Sequence, residues 1–150
     1  VSAEAVLLKN TSDAAKSEIR YLEDAIQKGD STALPHIASI AKAYRDSAIG
    51  LAVLPVPAEL AADDLLLINA LMRTSQIATD FAKVETDPLA TMLALQQYFS
   101  ATQALSTAFI NIGKRFADAG ITLPAKALGA SFVNMISDIR ASQQATAKKP

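Results

Sequence analysis

Cysteine and tryptophan are both missing from this 150-residue chain. Without cysteine there can be no disulfide, no thiolate nucleophile and no zinc–cysteine site, and the redox compartment stays open. Aromatic residues make up only 5% of the sequence, which argues against a surface that stacks bases or sugars. Charge of one sign is also lacking. The formal net charge is -1, so no global field gathers nucleic acid or an anionic membrane. No apolar run reaches the roughly 18 to 20 residues that a spanning helix needs. Strand-like alternation is absent, and so are Gly-rich phosphate loops and GxSxG.

What is present is helix. Apolar residues are 51% of the chain, many of them alanine, and a chain of this length can bury a core as one domain. Pro35, Pro57, Pro88 and Pro124 each sit at the start of a long helical pattern, and none interrupts one. Ahead of them, Val1, Ala5, Leu8, Ser12, Ala15, Ile19, Leu22 and Ile26 form a narrow stripe at helical spacing. The pattern predicts a lead-in helix at 2–9, a first helix at 13–28 stopped by Gly29, and further helices at about 33–53, 58–84, 88–119 and 125–144. The fold expected is an all-α, up-and-down antiparallel bundle of four to five helices over 1–144, with a disordered tail at 145–150. The helices at 58–84 and 88–119 have the widest apolar faces and are expected at its centre, as a hairpin joined by VETD. Small residues should line their contact: Ser75, Ala78, Thr79 and Ala82 on one helix, Thr102, Ser106, Gly113 and Ala117 on the other.

Candidates for chemistry are few. His36 is the only histidine and has no second metal ligand in motif spacing, so a helix-boundary role is expected. Asp64 falls near the middle of the apolar arc with Ala61, Ile68 and Leu71, where a carboxylate must find partners or change its pKa. Its place in the first turns should instead let it reach solvent or backbone N–H groups. Glu59, Asp63 and Asp64 form an acidic helix start that favours the positive end of the helix dipole, without the oxygen-ligand spacing of a calcium loop. Tyr21, Tyr44 and Tyr98 are expected at core edges with their hydroxyls in water. The isolated Gly50, Gly113 and Gly129 suggest close helix packing. No cofactor and no metal is expected.

Tyr44, LPVPAEL at 54–60, LLLINALM at 65–72 and DPLATMLALQQYF at 87–99 resemble a group of uncharacterised helical proteins from candidate-phylum bacteria with reduced genomes. The resemblance spans about residues 44–110. It implies an exported or membrane-anchored protein whose helical part lies outside the cytoplasm. Many of those proteins carry a histidine in the third helix, where this chain has Asp63 and Asp64, so no functional residue carries across. The expected function is a non-enzymatic interaction or scaffold module, tethered through a segment ahead of Val1. Its partner would be a second copy or an envelope protein, docked on the stripe of the first helix. The alternative is a sensor or carrier holding a small apolar ligand between helices. An enzyme would require Asp64, Glu59 and His36 to converge in one cleft.

Overall fold

The computed structural model describes residues 2–120 and Asn134. The fifth helix expected over 125–144 and the tail at 145–150 lie outside the described residues, Asn134 apart. Among residues 2–120 five helices follow one another: α1 (Ala3–Lys9), α2 (Glu18–Lys28), α3 (Ala33–Ala52), α4 (Ala61–Phe81) and α5 (Pro88–Asp118). A 3-10 turn, Ala58–Leu60, precedes α4. There is no strand among the described residues, and the architecture is an all-α antiparallel bundle.

The N-terminal stripe does not form one helix. Asn10 turns its amide back to the Val6 carbonyl, Thr11 bonds the Leu8 carbonyl, and Ser12 accepts from the Ala14 N–H. These local bonds close α1 and compete with starting a new helix at 13, so α2 begins only at Glu18 after the extended Ser17. Gly29 then ends α2 in the left-handed conformation, at φ 65°. Both short helices pack on the bundle. Val6 of α1 is buried, and a β-carbon added at Gly50 of α3 would lie 2.5 Å from its Cγ1. That glycine is there because α1 and α3 approach too closely for a side chain.

Helix α4 is the central element. Ser75 donates to the Ala41 carbonyl of α3 at 2.7 Å, across two antiparallel helices. On its other flank, Thr91 at the start of α5 donates to the Asp80 carbonyl at the end of α4, also at 2.7 Å. Asp87 caps α5 by accepting from the Ala90 N–H, and Pro88 takes the first helical position. The expected hairpin is therefore present.

One expectation about it needs correcting. Among the described residues α5 has one extensive neighbour, α4, whereas α4 has two. The small buried residues of α5 are Thr91, Ala94, Ala101 and Ala108, whereas Thr102, Ser106 and Gly113 are only half-buried and Ala117 is exposed. The apolar arc of α5 is wider than its one contact with α4 needs, and no second described helix covers the rest.

Among the described residues the core divides into two clusters. One gathers Tyr21 and Leu22 of α2, Ile37, Ile40 and Ala41 of α3, Ile77, Ala78 and Phe81 of α4, and Ala94 and Ala101 of α5. The other gathers Val6 with Ala48, Leu51, Leu67, Leu71, Ala108, Phe109 and Ile112. Tyr44 touches both.

Candidate functional site

The residues singled out by sequence do not form one site. His36 lies in the first turn of α3, exposed, with its ring stacked on Tyr21 at 4.8 Å. Because α3 and α4 are antiparallel, that end of α3 lies beside the end of α4 near Phe81. Asp63 and Asp64 are at the opposite end of α4, roughly 27 Å away along the helix at 1.5 Å per residue. Glu59 is exposed on the 3-10 turn. The convergence an enzyme would require is not found among these four residues, and no group of three or more His, Asp or Glu residues that could hold a metal occurs among the described residues.

Of the adjacent aspartates the buried one is Asp63, one residue before the expected one. The face that α4 buries follows Leu67, Leu71, Thr74, Ala78 and Phe81, at spacing 4, 3, 4, 3. One turn earlier on that row stands Asp63, which accepts a hydrogen bond from Arg115 Nε of α5 at 2.9 Å. Asp64 is half-buried beside it, and burial alone pushes its carboxyl up. Asp63, Asn111, Lys114, Arg115 and Asp118 line an open cleft of about 340 Å³. With two cations against two anions, that cleft has no net charge to select an ion.

A second polar group sits where the sequence reading expected tyrosine hydroxyls in water. Glu18, the first residue of α2, is buried, and Tyr44 of α3 turns its hydroxyl toward Glu18 Oε1 at 3.5 Å. Tyr98 of α5 lies close enough to feel the charge of the same carboxylate. Burial first, and then the Glu18 charge, push both phenols well above the usual tyrosine range. The tilted contact of Tyr98 with Phe81, 5.4 Å between ring centres, fixes its ring. The arrangement joins α2, α3 and α5 around one carboxylate and has no open side chain left to do chemistry.

One motif escaped the sequence reading. Ser39 and Lys42 stand at SxxK spacing on α3. The Lys42 ammonium is paired with Asp46, and both Ser39 and Lys42 are exposed, so this serine has no base aimed at it.

The feature that stands out is the outer face of α4 and α5. Leu89, Met92, Leu93, Leu95 and Phe99 are all exposed on the first three turns of α5, Leu89 at 66% and Phe99 at 76%. Leu65, Leu66 and Met72 of α4 are exposed as well. Farther along, Ser100, Gln103, Ala104, Thr107 and Asn111 of α5 face Leu66, Asn69 and Arg73 of α4 across an open groove of about 550 Å³. The Arg73 guanidinium is bonded to Gln97. A sequence signal for this face existed: residues 88–113 contain no Asp, Glu, Lys or Arg. A helix that faced only water would carry charge somewhere in seven turns. Depletion of charge is what distinguishes the middle of a protein–protein contact.

No helix among the described residues is long and apolar enough to cross a membrane. Compared with known proteins, the chain matches no family, no curated protein and no solved structure.

Proposed function

We propose that this chain is a non-enzymatic interaction module, and that it associates with a second copy of itself through the outer face of α4 and α5. The observation that carries the reading is the uncharged run 88–113 with its five exposed apolar side chains. In a two-fold contact each patch meets its own copy, so any net charge there would repel its twin. A surface without charge, rich in leucine, methionine, phenylalanine, amides and hydroxyls, avoids that cost. The stretch from Leu89 to Thr107 is about 27 Å long and, with α4 beside it, about 20 Å wide. Two such faces cover on the order of 1,000 Å², the lower end of specific interfaces. Separation of His36 from Glu59, Asp63 and Asp64 supports a module without catalysis.

The surface differs from the first-helix stripe that the sequence pointed to. That stripe is broken between α1 and α2, and its Leu22 is buried in the bundle. On the resemblance alone we place the module in the cell envelope; recovery of the native protein in the cytoplasmic fraction would remove that part.

Native mass spectrometry across a concentration series tests the association. A dimer is expected, and Phe99→Lys with Leu93→Lys should return it to a monomer with unchanged helicity. A wild-type chain that stays monomeric at the highest concentration would overturn the reading.

A further inference from the structure

We infer that the two copies pair their α5 helices in parallel, along one seam. The inference rests on the self-association proposed above and specifies its geometry. Leu89, Leu93, Gln96, Ser100, Gln103 and Thr107 recur at spacing 4, 3, 4, 3, 4, and all six are exposed. Those steps average about 3.6 residues, one helical turn, so the six side chains stay in one line that a partner helix can face. The same line borders the groove against α4, so a partner's α5 laid along it would also meet the α4 wall at Leu66 and Asn69. Two copies joined in this way enclose the seam between two pairs of helices, a four-helix arrangement.

The direction follows from the order of the side chains. The seam begins with leucine and continues with amides and hydroxyls. Parallel pairing sets Leu89 on Leu89 and Leu93 on Leu93, and each polar residue on its twin. Amides and hydroxyls both donate and accept, so a glutamine or serine satisfies an identical group across the axis. Antiparallel pairing about the middle of the seam instead sets Leu89 against Thr107 and Leu93 against Gln103. Each leucine then faces a polar group that has lost water and gained no partner. The seam also ends where parallel pairing requires, because the next position in the series after Thr107 and Ile110 is Lys114, whose charge would meet its own copy. A polar residue in such a seam fixes register at some cost in affinity, so a modest, register-specific dimer is expected. In it both copies of α1 lie at the same end, and both chains point the same way.

The natural absence of cysteine makes the test clean. Leu93→Cys and Gln103→Cys are made singly in the full chain, oxidised separately and as an equal mixture, and the linked peptides are identified by mass. Disulfides form only between Cα atoms about 4.4–6.8 Å apart, whereas positions 93 and 103 are about 15 Å apart along the helix. Parallel pairing predicts 93–93 and 103–103 links and no 93–103 link. Links only between 93 and 103 would overturn the parallel seam and leave self-association standing. A dimeric native mass without any of these links places the contact elsewhere and overturns the seam. A monomeric mass without links removes the seam and the second copy together.

Discussion

At the end of the bundle closed by α2, a carboxylate, two phenols and an aromatic pair lie within or against the core. At the end closed by α1, that helix buries one residue, a valine set against a glycine. Eleven residues make α2 and seven make α1. The longer helix buries Glu18, Tyr21 and Leu22, and the shorter one only Val6. Asp24 adds to the difference, with Lys16 and Lys28 both bonded to it and holding its carboxyl down to about 2. The two ends therefore hold by different means. One is tied through side chains far apart in sequence and should loosen only when the whole bundle does. The other is seated by shape, and α1 can leave without unfolding what it covers.

Substitutions at the two ends can break that contrast. Phe81→Ala, at a fully buried position of the α2 end, should cost about 3–5 kcal/mol and move the urea midpoint of the entire domain. If it released only α2, the tied end would be no more cooperative than the other. Glu18→Ala leaves the buried Tyr44 hydroxyl without its acceptor and should cost about 1–3 kcal/mol, measured by the same denaturation. Its pH signature is separate. Both folded phenols ionise above the unfolded value of about 10. Their contribution is therefore complete below that pH and declines as pH rises from there toward the folded values. Glu18→Gln removes the charge and should bring both phenol titrations, followed by ultraviolet absorbance, back toward the ordinary range.

Smaller effects belong to the α1 end. Gly50→Ala forces Val6 aside, so hydrogen exchange should show the amides of α1 exposed while protection in α4 stays unchanged. Loss of protection throughout would show that α1 is integral to the fold. Asp63→Asn should cost less than about 1 kcal/mol, because Arg115 is more than half exposed and already shares its charge with water. A larger loss in thermal denaturation would mean that this ion pair, and not the valine, secures the α1 end.

Much of the fold was legible because proline, aspartate and glycine carry local meaning. Asp87 with Pro88 marks the start of α5, and Gly29 and Gly120, at φ 65° and 66°, mark two helix ends. The break after residue 9 was legible, but not its length: α2 starts at Glu18 and not at 13, since Asn10, Thr11 and Ser12 are good caps in either direction and only the fold chooses which helix they serve. Asp64 was placed in the apolar arc where Asp63 is the buried one, because the phase of a wide apolar arc shifts by one residue. The Glu18 group could not be read at all: its members are 26 and 54 residues apart and meet only through tertiary packing. The open face of α5 was visible as a charge-free run, but an apolar arc does not say which of its sides another helix will cover.

The contact between Val6 and Gly50 has a consequence for how this sequence can change. Positions 6 and 50 share one volume, so a side chain gained at one must be matched by methyl groups lost at the other. In any lineage that keeps this fold, the two should drift as a pair, Val with Gly or smaller with larger. Two sites 44 residues apart would then record the docking of α1 in covariation alone.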